Sequence, residues 1–106
     1  MYSAAFIFEP GQSDDTFHRL NGEIAEAARP TPGVLGSEAG TDDAGTRVNA
    51  VYCWETLEAL RTFAAHPRHV EAKRRYAEWY DGFHVVIAQG LDSYGDGHIG
   101  HVTPND

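Results

Sequence analysis

The order of apolar segments along the chain constrains the fold more than any other feature of the sequence. Residues 2–8, which read YSAAFIF, are short and apolar and end at a Pro-Gly pair, so they indicate a buried strand followed by a turn. Apolar residues then recur at helical spacing over residues 14–28, with Ser13 as the expected N-cap. Two period-two segments near 34–40 and 47–54, joined by the turn formers TDDAG, predict a hairpin.

The second half of the chain is predicted to contain two helices and a last strand. An apolar helical stripe begins after Thr56 and stops at His66, because the residue before a proline is pushed out of helical geometry. Pro67 suits the first position of a new helix, and we place Tyr76 and Tyr80 on that helix together with His69. FHVVIAQGL, the segment at 83–91, is typical of a strand.

The resulting order, strand, helix, strand, strand, two helices, strand, is that of a split βαβ unit. It predicts an α+β, ferredoxin-like fold with an antiparallel sheet and the helices on one side. The chain of 106 residues has the length of one domain. We assign residues 1–95 to this domain and expect a flexible tail over 96–106, where no period is visible.

One face of such a sheet is left without helices. In the strand at 47–54, Tyr52 and Trp54 share a face, and we place them with Phe6 on the side away from the helices. Contiguous apolar patches of several hundred Å² are rare on monomers, so this face is expected to be covered by a second copy of the chain. The sequence therefore predicts a homodimer.

Charge and composition exclude several classes of partner. The formal net charge is -8, which repels phosphate backbones and anionic lipids, so neither nucleic acid nor a membrane surface is an expected partner. No apolar run approaches the ~20 residues of a membrane span, and residues 1–30 show no basic region followed by a hydrophobic stretch, so we expect a cytoplasmic protein that binds a small molecule. The single cysteine, Cys53, lies in an apolar run and is expected to be a buried, inert thiol.

Two segments, YCWETLEALRTFAAHPRH and WYDGFHVVIAQGLDSYG, together with the order of elements, resemble the antibiotic biosynthesis monooxygenase family. The likeness covers residues 2–95 and includes a strand that ends at Trp54, acids at the start of the next helix, and His66-Pro67 followed by His69. The resemblance implies a dimeric α+β barrel with a pocket between sheet and helices in each subunit. Some members of the family oxygenate phenolic polyketides without metal or flavin, and others degrade heme.

The chain departs from both groups at particular positions. Where the heme-degrading members carry an iron-ligating histidine, this sequence has Lys73. The polyketide oxygenases have an asparagine on the same face as the strand-ending tryptophan, whereas Asn49 lies five residues before Trp54 and so falls on the opposite face. The preferred function is a small, cofactor-independent monooxygenase that acts with O2 on an aromatic or enolisable metabolite. A heme-binding or heme-degrading dimer and a non-enzymatic dimer that binds a small ligand remain alternatives.

Oxygenation without a cofactor requires a base that converts the substrate to an electron-rich anion. Histidine suits this task because its ordinary pKa is about 6.5. His69 is the expected catalytic base, although a histidine at a helix start can also serve only as a hydrogen-bond partner there. His66 and His84 are weaker candidates for the pocket. His84 alternates with Val86 and Ala88 on the last strand and is expected to line either the pocket or the dimer seam.

Aromatic side chains are the expected walls of a pocket for a planar ligand. We select Trp54, Phe63 and Tyr76, while noting that aromatic residues at such spacings also pack ordinary cores. His66 and His69 are separated by Pro67 and have no evident third ligand, so no metal site is predicted. The sequence also lacks a Gly-rich loop between a strand and a helix and a serine elbow, so neither a nucleotide cofactor nor covalent catalysis is expected.

Overall fold

The predicted α+β architecture is confirmed by the structure, a computed structural model that describes residues 1–11, 15–28 and 30–105. The predicted N-cap Ser13 lies outside the described residues. None of the helices in the described ranges has the length and apolar composition that a bilayer crossing requires. The elements are β1 (Tyr2–Pro10), α1 (Asp15–Ala28), β2 (Val34–Thr41), β3 (Val48–Trp54), α2 (Leu57–Ala64), α3 (Pro67–Arg75), a 3-10 turn (Tyr76–Glu78) and β4 (Tyr80–Gln89).

The four strands form one antiparallel sheet in the order β2-β3-β1-β4. Tyr2 lies opposite Trp54 of β3 and Gln89 of β4, and the register continues along both pairs of strands. Because neighbouring residues in a strand point to opposite faces, Tyr2, Phe6 and Trp54 share one face of the sheet. The two outer strands, β2 and β4, each leave one edge unpaired within the sheet.

The core lies between this face of the sheet and α2. Trp54 is 1% exposed and packs with Ala59, Leu60 and Phe63 of α2, while Tyr52 is packed against the same cluster. We call this side of the sheet the helix face. The prediction that Tyr52, Trp54 and Phe6 lie away from the helices is therefore wrong. Alternation along β3 correctly groups Tyr52 with Trp54, but it does not show which face the following helix covers.

The other side, which we call the open face, is also apolar. Ala5 lies between Val51 and Val86, and Ile7 lies between Asn49 and His84. These residues alternate with those of the helix face, and α2 packs on the opposite side of β1 and β3. The sheet is therefore apolar in its centre on both faces, as the mixed pattern of β3 indicates.

The C-terminal tail lies along β2 at one end of the open face. The His101 side chain contacts the Glu38 carboxylate, with Nε2 2.9 Å from Oε1. Val102 lies so close to Gly36 that a Cβ added there would be 2.7 Å from its Cγ1. Cys53 pairs with Gly36 on the open face and is buried. Burial raises the pKa of its thiol, and the Glu38 carboxylate raises this pKa further by a smaller amount. Cys53 thus matches the prediction of a buried thiol.

Candidate active site

Aromatic side chains cluster on the helix face above β1 and β4. The Phe8 and Tyr80 ring centroids are 4.7 Å apart, and those of Phe6 and Tyr80 are 5.6 Å apart. Phe83 joins the cluster at 5.9 Å from Phe6, and Tyr76 packs edge-on against Phe83 at 4.7 Å. We call the surface formed by Phe6, Phe8, Tyr76, Tyr80 and Phe83 the aromatic hollow.

The aromatic hollow is open along β4. Three residues of β4 point to the helix face and are nevertheless exposed: Phe83 at 46%, Val85 at 42% and Ile87 at 56%. The helix layer explains this exposure, because α2 packs over β1 and β3, and α3 packs on α1 and α2. The helices therefore leave these apolar side chains of β4 uncovered.

Phe63 belongs to the buried core and connects it to His69 of α3. Its ring centroid lies 5.8 Å from that of Tyr52, 5.0 Å from that of Trp54 and 5.1 Å from that of His69. Trp54 is almost fully buried, so it supports Phe63 and Tyr52 from behind. His69 is the member of this group that lies on α3, so its position depends on where α3 begins.

The start of α3 is fixed by the sequence His66-Pro67. The His66 Nδ1 atom accepts a hydrogen bond from the Arg68 backbone N–H at 3.1 Å, which caps the helix, and Pro67 occupies its first turn. His69 follows within the first turn and points toward Phe63 of α2. The His66 side chain therefore caps α3, and the position at which α3 begins determines where His69 points.

The environment of His69 favours a neutral imidazole. Burial lowers the pKa of His69, the Lys73 ammonium acts in the same direction, and the Ala64 carbonyl opposes them with a smaller effect. The Nδ1 atom is buried and has no hydrogen-bond partner among the described residues. A half-buried neutral imidazole packed against the Phe63 ring can accept a proton at neutral pH.

The structure brings some of the predicted site residues together and separates others. Trp54, Phe63, His69 and Tyr76 all lie on the helix side of the sheet. His84 pairs with Ile7 on the open face, so it does not line the aromatic hollow. The placement of Tyr76 and Tyr80 on the His69 helix is wrong, because α3 ends at Arg75 and Tyr80 begins β4.

Several residues that border the site were missed in the sequence. Tyr52 shares its strand face with Trp54, a signal that was visible but was assigned to the wrong side of the sheet. Tyr80 was missed because its spacing of four from Tyr76 suits a helix. The buried Trp79, whose backbone N–H is bonded to the Tyr76 carbonyl at 3.0 Å, marks the turn that takes the chain into β4.

A concave surface of about 570 Å³ lies on the open face beside the β2–β3 hairpin. Ile7 and Val51 form part of its floor, and Arg47 and Asp42 are on its rim. Both rim charges are already engaged, because Arg47 is 2.9 Å from Glu9 and Asp42 accepts a hydrogen bond from the Thr46 backbone at 2.8 Å. None of the residues that line this surface is a histidine.

Comparisons with known proteins identify the fold. No protein-family model matches the chain, and no curated protein matches its sequence. Among solved structures, the Rv0793 protein of Mycobacterium tuberculosis superposes with a TM-score of 0.73 at 14% identity, covering 89% of this chain and 98% of the other. A candidate antibiotic biosynthesis monooxygenase from Deinococcus radiodurans gives 0.70 at 17% identity, covering 90% and 97%.

A third similar structure is SnoaB of Streptomyces nogalater, described as a cofactor-independent oxygenase and determined as a point mutant. Its TM-score is 0.70 at 12% identity, and the superposition covers 87% of this chain and 94% of SnoaB. At such identities the comparison shows a shared fold. The chain thus has the ferredoxin-like α+β fold of proteins named antibiotic biosynthesis monooxygenases.

Proposed function

We propose that this chain is a cofactor-independent oxygenase of the antibiotic biosynthesis monooxygenase type, acting on a planar aromatic or enolisable substrate in the aromatic hollow. The observation that carries the proposal is His69, an imidazole whose pKa burial lowers and whose ring packs against Phe63 on the helix side of the sheet. The fold shared with SnoaB supports the same chemistry.

The reaction begins with a proton transfer. His69 removes a proton from the substrate, and the resulting enolate or phenolate donates one electron to O2, which gives a substrate radical and superoxide. The two radicals combine to a peroxide, and loss of water from that peroxide leaves a new carbonyl group. For anthrone, one O2 is consumed, one water is released and anthraquinone is formed, so that atoms and electrons balance.

The aromatic hollow contributes apolar surroundings to this reaction. Phe6, Phe8 and Phe83 provide ring faces on which a planar substrate can stack. An aromatic ligand over these rings would displace water from the exposed side of β4, and exclusion of water strengthens the interaction between an anion and nearby hydrogen-bond donors. The hollow thus combines a binding surface with a site where an anion is held away from solvent.

A second copy of the chain is proposed to cover the open face. Val86 is 45% exposed on this face and is flanked by apolar residues of β1, β3 and β4. Burial of apolar surface stabilises association by about 25 cal/mol per Å² before the cost of ordering the two partners. The aromatic hollow lies on the opposite side of the sheet, so each subunit of the dimer keeps its own site.

Substitution of Val86 by lysine is expected to convert the dimer to a monomer, because it places a charge in the centre of the apolar contact. Sedimentation velocity or light scattering of the purified protein measures the change. Val70→Lys is the matched control, since Val70 is exposed to a similar degree, at 50%, but lies on α3 away from the open face. A wild-type protein that remains monomeric at high micromolar concentration contradicts the proposed dimer.

Oxygen uptake with anthrone tests the proposed reaction. Anthrone is planar and loses a proton from the carbon opposite its carbonyl group, so it meets both demands of the site. We expect the purified protein to consume one O2 for each anthraquinone formed, at a rate unchanged after extensive dialysis against a chelator. An oxygen electrode and the absorbance of anthraquinone measure the two quantities.

The alternatives predict different results in the same preparation. A protein that only binds small ligands would bind anthrone without oxygen uptake above the uncatalysed rate. A heme-binding protein would give a Soret band on addition of hemin, and His69→Ala would abolish that band. Either result, without anthrone oxidation, would contradict the oxygenase proposal.

A further inference from the structure

The C-terminal tail, residues 91–105, is closed on itself by side-chain contacts. The Gly95 backbone N–H donates a hydrogen bond to the Asn105 side-chain oxygen at 2.8 Å. The Ser93 and Thr103 hydroxyl oxygens are 2.7 Å from each other. These contacts join the beginning of the tail to its end, so the segment forms a loop with a defined shape beside β2.

A continuous series of hydrogen-bonding contacts connects this loop to β2. The Ser93 hydroxyl contacts the Pro104 carbonyl as well as Thr103. The Thr103 Oγ1 atom is 2.8 Å from His101 Nδ1, and His101 Nε2 is 2.9 Å from Glu38 Oε1. We call the series Pro104, Ser93, Thr103, His101 and Glu38 the tail clasp. It attaches the tail to an outer strand of the sheet.

The protons of the tail clasp can be assigned from one end of the series to the other. A carbonyl oxygen only accepts, so the Ser93 hydroxyl donates to Pro104. Because this uses the one hydroxyl proton of Ser93, the Thr103 hydroxyl donates to Ser93. Thr103 then has no hydroxyl proton left for His101, so the Nδ1 atom donates to Thr103 while Nε2 donates to the Glu38 carboxylate. An imidazole that donates from both nitrogens is a charged imidazolium.

A neutral His101 leaves the tail clasp one proton short. When Nε2 donates to Glu38, the neutral ring has a lone pair at Nδ1, which can accept the Thr103 backbone N–H at 3.2 Å. One of the two shorter hydroxyl contacts of Thr103 then lacks a proton. The charged ring satisfies both shorter contacts and places a cation beside a carboxylate, and charge-assisted hydrogen bonds are stronger than neutral ones.

Glu38 is the charged side chain that contacts His101 within the described part of the chain. Of the charges near the open face, Arg47 is bound to Glu9 at 2.9 Å. Within the tail, His98 Nδ1 lies 3.1 Å from the Asp96 carboxylate. The His101 side chain is 42% exposed, so it exchanges protons directly with solvent.

We propose that the tail clasp is a pH-sensitive device, in which protonation of His101 closes the C-terminal tail over one end of the open face and loss of this proton releases it. Histidine ordinarily changes charge between about pH 5 and 8. A Cβ added at Gly36 would be 2.7 Å from Val102 Cγ1, so the closed tail lies directly on β2. Release therefore uncovers Gly36 and the paired, buried Cys53. The aromatic hollow lies on the opposite face, so this device is independent of the proposed oxygenase.

Hydrogen exchange of the Gly95 amide in the full chain, measured by NMR, tests the device. This amide is bonded to Asn105, so its exchange requires the tail to open. Its protection factor, from which the intrinsic pH dependence of exchange is removed, should fall about tenfold between about pH 5.5 and about pH 8, the effect of losing one charge-assisted hydrogen bond. Global unfolding cannot give this sign, because the lowered pKa of His69 makes the whole fold less stable as the pH falls.

Two tail variants separate His101 from other causes. His101→Gln keeps a donor for Glu38 but takes up no proton, so its Gly95 protection factor should be equal at both pH values. His98→Gln is the matched control, since the His98 side chain is 87% exposed, and it should retain the wild-type pH dependence. A wild-type protection factor that is equal at both pH values overturns the inference, as does an unchanged pH dependence in His101→Gln.

A second measurement uses only the wild-type protein. The imidazole nitrogen shifts of His101 report its protonation in the same NMR samples. Titration of these shifts should have the same midpoint as the loss of Gly95 protection, because one proton controls both. Two clearly different midpoints would show that another group opens the tail, and the device would be wrong.

Discussion

Replacement of His69 by glutamine is expected to lower the rate of anthrone oxidation by about 10²- to 10⁴-fold, the range that a positioned general base contributes. Glutamine keeps a polar side chain of similar length beside Phe63 but accepts no proton at neutral pH. Steady-state oxygen uptake measures the loss. Anthrone binding by the variant should remain close to that of the wild-type protein, because the aromatic hollow is unchanged.

The pH dependence of the wild-type rate provides an independent check on His69. Its pKa is lowered, chiefly by burial, so the imidazole stays unprotonated below the ordinary histidine value of about 6.5. The rate should be constant from neutral pH down to this range and should fall only as the pH approaches the lowered pKa of His69. The decrease should be absent from the residual activity of His69→Gln.

The lowered pKa of His69 also makes the free energy of unfolding depend on pH. Between the ordinary pKa of histidine and the lowered pKa of His69, the unfolded chain binds a proton more readily than the folded protein. The free energy of unfolding should therefore decrease as the pH falls through this interval, and less so in His69→Gln. His98→Gln is the control, since the His98 side chain is 87% exposed in the tail. An equal pH dependence in wild type and His69→Gln contradicts a buried neutral imidazole.

The order and type of the elements could be predicted because each depends on local patterns. Pro67 marks the break between α2 and α3, and the turn formers at 41–45 separate β2 from β3. The choice of covered face could not be predicted from alternation, since both faces of β3 carry apolar residues. It depends on the direction in which the chain leaves Trp54, and Thr56 fixes that direction by accepting the Ala59 backbone N–H at 3.1 Å to begin α2.

Prediction of the candidate site was limited by the transition after α3. The spacing of Tyr76 and Tyr80 is compatible with one more helical turn, but Trp79 is 2% exposed and becomes buried only when the chain turns at Tyr76 to enter the sheet. Burial of a large side chain outweighs the small gain from one further helical turn. Tyr80 consequently borders the aromatic hollow from β4, a position that helical periodicity does not reveal.

Replacement of Trp54 by alanine is expected to lower the free energy of unfolding by about 3–5 kcal/mol, the cost of truncating a buried tryptophan. Trp54 is 1% exposed and contacts Phe63 and Tyr52, so its removal leaves a cavity at the centre of the core that α2 cannot fill by a small shift. Urea or thermal unfolding measures the change. A loss below about 1 kcal/mol would mean that Trp54 is not the centre of the core.

Trp54→Phe distinguishes the loss of packing from the loss of a polar contact. The indole Nε1 atom is buried and has no hydrogen-bond partner among the described residues, and an unsatisfied buried donor costs about 1–3 kcal/mol. Phenylalanine removes this donor while keeping most of the apolar surface in contact with Phe63. The free energy gained by removing the unsatisfied donor should offset part of the cost of the small cavity that phenylalanine leaves. Trp54→Phe is therefore expected to be far more stable than Trp54→Ala. If the two variants are equally destabilised, the indole N–H is contributing to stability through a partner, and the packing account of this core is wrong.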